Sequence, residues 1–217
     1  MDFELKLFLD SLPALLEGAL NTAYLTFISA AIGLLIGLTL GLFRVSSNYF
    51  LRTLAFTYVT ILRGLPLLVT LLFLYYGLPS LGIQLTSFAV AIIALSLTNG
   101  AYVSEIVRSG IESIEPGQMR AARSLGMSYS LSMKRIILPQ ALRRVLPPIT
   151  NEAITLLKNT ALVSTIALTD LLRVGVNIMT WKANTFSPFA GVALFYLIMT
   201  TTIQTFNVWL EKRYRIR

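Results

Sequence analysis

The sequence contains neither cysteine nor histidine. The first absence excludes disulfides, thiolate nucleophiles and cysteine-held metals. The second excludes imidazole general-base catalysis and most zinc, haem and copper sites. Charge is scarce too: Asp, Glu, Lys and Arg make up 13% of the 217 residues, whereas 55% are hydrophobic. A soluble domain of this length needs more charge to cover its surface. The basic start of a cleavable signal is also missing, because the N-terminus reads MDFELKLFLD. No phosphate-cradling Gly-x4-Gly-Lys-Ser/Thr loop occurs, so any ATP must be handled by another chain. Internal repeats are not evident.

What is present are long runs without any Asp, Glu, Lys or Arg: Thr22 to Phe43, Gly64 to Ser104 and Ala183 to Leu210. A helix needs ~20 mostly apolar residues to cross a bilayer, so the chain reads as an all-α, multi-span membrane protein in contact with lipid. The net charge of +8 then reflects basic cytoplasmic loops rather than nucleic-acid binding. Residues 1–20, with Asp2, Glu4, Lys6, Asp10 and Glu17, read as an amphipathic lead-in at the outer surface. Span 1 is expected over about 21–43. Its Ser29, Gly33, Gly37 and Gly41 share one helix face, a pattern that lets backbones approach closely, either inside the chain or at a dimer seam. Arg44 to Arg52 reads as a short turn. Span 2 (about 64–79) has Gly64 and Pro66 near its start, which should kink or loosen it. The turn residues of Gly77–Gly82 separate it from span 3 (about 86–107).

Between spans lies a polar stretch, Glu112 to Pro148. Seven Lys/Arg and two Glu fall between Arg108 and Arg144. Glu115-Pro116 opens a short helix. Ala121 and Ala122 leave it thin, and Gly126 ends it, with the left-handed conformation expected there. Ser128 caps a second helix, Pro139 interrupts it, and Pro147-Pro148 reads as a stop before a weaker fourth span (about 149–172). A fifth span covers about 187–210. Fourteen of eighteen basic residues, among them Arg44, Arg52, Arg63, Lys212, Arg213, Arg215 and Arg217, then fall on one side. The positive-inside rule makes that side cytoplasmic, with the N-terminus outside and the C-terminus inside.

The spacing Ala121-Ala122, Gly126, nine residues, Ile136-x-Leu138-Pro139 resembles the cytoplasmic signature of permease subunits in ABC-type importers. That signature opens Glu-Ala-Ala; Arg120 stands here in place of the Glu. Arg63-Gly64-Leu65-Pro66-Leu67, Ala101-Tyr102-x-x-Glu105-x-x-Arg108 and Lys158-Asn159-Thr160-Ala161-Leu162 are similar to segments of the polar amino-acid subgroup. The resemblance implies that residues 112–140 form a coupling loop docking on a separate ATPase, with Gln118, Arg120, Ala121, Ala122, Gly126, Ile136, Leu138 and Pro139 as its coupling positions. It also implies a bacterial cytoplasmic membrane location. The partners implied are an ATPase dimer that binds ATP and Mg, a second permease subunit (the same chain or a paralogue), a solute-binding protein and an amino acid.

Polar groups inside spans usually face a bundle interior or a wet cavity. Asn99 and Tyr102 in span 3, and Glu152, Thr155, Lys158, Asn159 and Thr160 in span 4, are the candidates for a substrate path. The alternative is that they hydrogen-bond helix to helix, and Glu105 is expected to pair with Arg108. Glu152 and Asp170 lean toward a basic amino acid. A secondary transporter or channel would need a coupling-ion site and usually inverted repeats. An intramembrane enzyme would need a catalytic constellation. The sequence offers none of these.

Overall fold

A computed structural model describes residues 3–214. Asp2 of the lead-in and Arg215 and Arg217 of the basic tail lie outside the described residues. Every regular element among the described residues is helical. They are α1 (Leu5–Arg44), α2 (Tyr49–Gly64), α3 (Leu67–Leu72), a π turn at Phe73–Gly77, α4 (Leu78–Ser80) and α5 (Ser87–Glu112). There follow α6 (Pro116–Ser124), α7 (Tyr129–Ser132), a π turn at Met133–Ile137, α8 (Leu138–Asn159), a 3-10 turn at Thr160–Ile166, α9 (Leu171–Lys182) and α10 (Phe186–Tyr214). Three of these are long and apolar enough to cross a membrane, and five crossings result if each of two bent pairs is one span.

The lead-in expected over residues 1–20 is no separate element. It is continuous with span 1 in a single 40-residue helix, about 60 Å long, and Pro13 lies within its early turns. One face of its first half is buried against α9 and α10, with Leu15, Ala19, Leu171 and Val192 in one cluster. Span 2 also differs from expectation. Arg44 to Arg52 is only partly a turn, because Asn48 caps α2 through its side chain and helix begins at Tyr49. The helix then breaks at Leu65-Pro66 and turns by 98° into Leu67–Ser80. Pro66 cannot donate its backbone nitrogen and forces the preceding residue out of helical geometry.

Pro147-Pro148 does not stop the chain. Both prolines lie inside α8, which starts at Leu138 and runs 22 residues. The carbonyls they deprive of donors belong to Arg143 and Arg144, both exposed residues. Asp170 likewise does not close a span. After Ala167, in the left-handed region at φ 58°, its carboxylate accepts from the backbone of Leu172 and Arg173 and so caps α9, which is bent 49° from the segment before it.

The small-residue stripe packs inside the chain. A Cβ at Gly33, Gly37 or Gly41 would collide with Asn99, Val103 or Val107 of α5 respectively. Both series ascend together, so α1 and α5 run parallel. Val145 meets Gly110, and Glu152 meets Asn99, so α8 runs antiparallel to α5. Ser187 meets Glu4 and Gly191 meets Leu15, which makes α10 parallel to α1. A buried polar ladder, with Asn207 bonded to Thr150, Asn151 and Glu211, ties α10 to α8.

Candidate functional site

Two regions concentrate the polar chemistry. The first is the loop between α5 and α8. Its helix α6 ends in a reversal: the Gly126 amide donates to the Arg123 carbonyl at 3.0 Å and the Met127 amide to the Ala122 carbonyl at 3.2 Å, while Gly126 has φ +81°. This pair of bonds is the glycine-ended helix stop, which supplies donors to two of the last carbonyls, those of Ala122 and Arg123. The two alanines face opposite ways. Ala122 is buried, whereas Ala121 is exposed together with Gln118, Arg120 and the neighbouring Leu125. Leu125 is 83% exposed, an isolated apolar side chain at the loop's tip that the sequence reading passed over. Ile136 and Leu138 turn inward and pack with Ile137 and Ala141 beneath the loop; Pro139 remains outside.

The second region lies where the α2–α3 break meets α5 and the end of α8. A cavity of about 450 Å³ is bounded there by Arg63, the Gly64–Leu68 segment, Thr98, Tyr102, Asn159 and Leu162. The Thr98 hydroxyl is buried without a hydrogen-bond partner among the described residues. Arg63 sits over the Tyr102 ring, 5.3 Å from its centre, and its guanidinium lies 3.7 Å from Glu105. Glu105 pairs with Arg108, as its spacing suggested, and also with Arg44 at 3.4 Å; Arg108 bonds Glu112 in turn. One carboxylate thus gathers guanidiniums from α1, α2 and α5. The meeting of Arg44 and Arg63 on it was invisible in sequence, since Arg44 read only as a loop charge and Arg63 as a loop charge opening the Arg63-Gly64-Leu65-Pro66 segment, neither with a partner.

The span residues separate into groups. Asn99 donates to Glu152 at 3.4 Å between α5 and α8. Tyr102 and Asn159 share the cavity wall. Thr155 and Lys158 are exposed on another strip of α8, with Asn151, and the Thr155 hydroxyl donates to the Asn151 carbonyl. Thr160 is buried and donates to the Leu157 carbonyl. Glu152 lies about 21 Å along α8 from Leu138 and about 10 Å from Asn159 at 1.5 Å per residue, two thirds of the way along a continuous helix.

Residues 8–216 match the family described as binding-protein-dependent transport system inner membrane component. The chain belongs to that family. It is 38% identical over 212 residues to the probable amino-acid ABC transporter permease protein YckA of Bacillus subtilis (98% of this chain, 94% of that one). It is 33% identical to the glutamine transport system permease protein GlnP of Escherichia coli K12, with both chains covered completely. Among solved structures, one described as an amino acid ABC transporter with histidines superposes with a TM-score of 0.93 at 37% identity, covering 98% of this chain and 100% of that one. An inward-facing MetNI methionine transporter superposes at 0.79 with 21% identity, covering 93% and 96%, and shares the fold. The family chain is a permease subunit of an ABC transporter.

Proposed function

We propose that this permease subunit carries polar amino acids, including basic ones, into a bacterial cell across the cytoplasmic membrane. A separate ATPase dimer binding ATP and Mg would drive it, and a solute-binding protein would feed it. A second permease subunit, identical or paralogous, would complete the path. The reading rests on one observation above all: the spaced signature folds into an exposed helix that Gly126 reverses, with Leu125, Gln118 and Arg120 outward and Ile136 and Leu138 anchoring it to α5 and α8. Leu125 is the apolar knob that would enter the ATPase groove. Full-length similarity to amino-acid permeases supports the substrate class.

The helix directions support five crossings. The parallel course of α1, α5 and α10, with α8 antiparallel, requires one net return through α2–α4 and one through α8–α9. The termini then lie on opposite faces. The basic excess at the α1, α5 and α10 ends makes the C-terminal face cytoplasmic, with Lys6, Arg173 and Lys182 outside. In this setting the cavity beside the α2–α3 break receives solute: Arg63 and the first turn of the Leu67 segment suit a carboxylate, and Asn159, Thr98 and Tyr102 suit polar groups. Glu152, which lies outside that cavity's lining and accepts from Asn99, suits an amino group on the way to it. ATP binding and hydrolysis would move the loop and open the cavity to each side in turn, to the extent that the ATPase contacts it differently in its two nucleotide states. Reconstitution with the cognate ATPase tests the assignment. Co-purification and ATP hydrolysis stimulated by loaded binding protein are expected; ATP-independent uptake by this chain alone would overturn it.

A further inference from the structure

We infer that Arg144 is a positioning residue that rivets α5 to α8 at the root of the loop, so that loop displacement moves both walls of the solute path together. The inference rests on the reading that this loop docks the ATPase. At the end of α5 the last carbonyls lack intrahelical donors, and no basic residue occupies its last turn. Arg144, from α8, supplies what α5 lacks. Its Nη1 donates to the Ser113 carbonyl at 2.6 Å and to the Ser113 hydroxyl at 3.0 Å. A cation at a helix C-terminus is favoured by the helix dipole as well as by the bond itself.

The contact is one half of a joint. The Ser113 hydroxyl donates to the Gly110 carbonyl at 2.7 Å. Gly110 has no side chain, and Val145, next to Arg144, fills the place where its Cβ would be. Ile111, Ile114, Ile137 and Ala141 pack around the same point. On one side of this joint α5 leads to Asn99 and Tyr102; on the other α8 leads to Glu152 and Asn159. Along the chain the joint lies between the π turn at Met133–Ile137, which leads into α8, and the Pro147-Pro148 pair inside it, two places where a helix bends readily. Without a fastening there, motion of α6 would be taken up at these weak points instead of reaching the cavity.

The test uses the whole complex in proteoliposomes with its binding protein and a cationic amino acid. Arg144→Ala should retain the ATPase and leave the half-saturating solute concentration unchanged, while solute moved per ATP hydrolysed falls about tenfold, within the range of coupling between linked sites. Arg144→Lys, which keeps a cationic donor, should recover part of the loss. Unchanged transport per ATP in Arg144→Ala overturns the proposal and leaves the docking reading intact. Loss of the ATPase from the Arg144→Ala complex, when the wild type retains it, also overturns it, by making Arg144 part of the docking surface. A wild-type complex that retains no ATPase would remove the docking reading itself. The absence of native cysteine permits a second measurement independent of how well Arg144→Ala folds. In the pair Ser113→Cys and Arg144→Cys, bridging by a short bismaleimide should restore coupling relative to the same unbridged protein; a bridged complex that stays uncoupled overturns the proposal.

Discussion

Gly41→Ala tests the α1–α5 contact on which the solute path is built. An ideal Cβ at Gly41 would lie 2.6 Å from both Cβ and Cγ1 of Val107 and 3.1 Å from the Ser104 carbonyl oxygen. Carbon pairs rest at about 3.5–4.0 Å, so two packed helices must separate by nearly an ångström or rotate. Overpacking of this kind costs about 1–3 kcal/mol. Alanine offsets part of it, because glycine in a helix interior is about 1 kcal/mol less favourable. The atoms met include a Cβ and a backbone carbonyl oxygen, neither of which can swing aside, which puts the overpacking cost in the upper part of that range, about 2–3 kcal/mol. The net loss is then roughly 1–2 kcal/mol, or about 2–8 °C in melting midpoint for a chain of this size. The assay is thermal unfolding of the detergent-solubilised protein followed through Trp181 and Trp209. Because the collision includes the Cβ of Val107, alanine at 107 would not relieve it and glycine would. The double variant Gly41→Ala with Val107→Gly should therefore be more stable than the sum of the single changes by at least about 1 kcal/mol. Strict additivity, or a Gly41→Ala protein as stable as wild type, would refute the close-packed interface.

Glu152→Gln keeps size and the bond from Asn99 but removes charge, so uptake of a cationic amino acid should fall more than that of a neutral one; equal loss with reduced expression would mark the carboxylate as structural. Gly126→Val has free space around its side chain but meets the left-handed backbone, worth about 1–2 kcal/mol of strain. It should leave the protein in the membrane while loosening ATPase association, and normal solute-stimulated hydrolysis would remove this loop as the docking element. A reporter fused after Arg217 should be cytoplasmic and one at Met1 external; both on one side would mean an even number of crossings.

The loop was legible in sequence because its devices are local. Proline at 116, glycine at 126 and serine at 128 each act within one or two turns, and all three occur where spacing put them. The glycine stripe on α1 was legible as a contact face, but its partner was not, since periodicity says nothing about which helix fills the groove. Misreadings arose where long-range packing overrides local punctuation. Pro147-Pro148 lies inside α8, which packs along α5 and α10, and Asn48 starts α2 in what charge alone marked as a turn. Asn99 and Glu152 were selected separately for polarity inside spans, and their bond appears only when α5 and α8 are antiparallel. The meeting of Arg44 and Arg63 on Glu105 depends on three helices at once, so sequence reading could not have found it.

The length of α1 has a consequence for biosynthesis. Its second half finds α5 soon after emerging, but its first half is covered by elements made at the other end of the chain. The Glu4 amide bonds Ser187 across 183 residues, and Leu15 lies against Gly191. At about 5–20 residues per second the ribosome takes roughly 10–40 s to supply that cover. For that interval the face bearing Ser11, Leu15 and Gly18 has only lipid or the insertion machinery against it. A chain interrupted before Asp170 would lack both α9 and α10 and keep that face bare, so quality control that surveys unpartnered membrane helices would find its signal at the N-terminus although the defect lies toward the C-terminus.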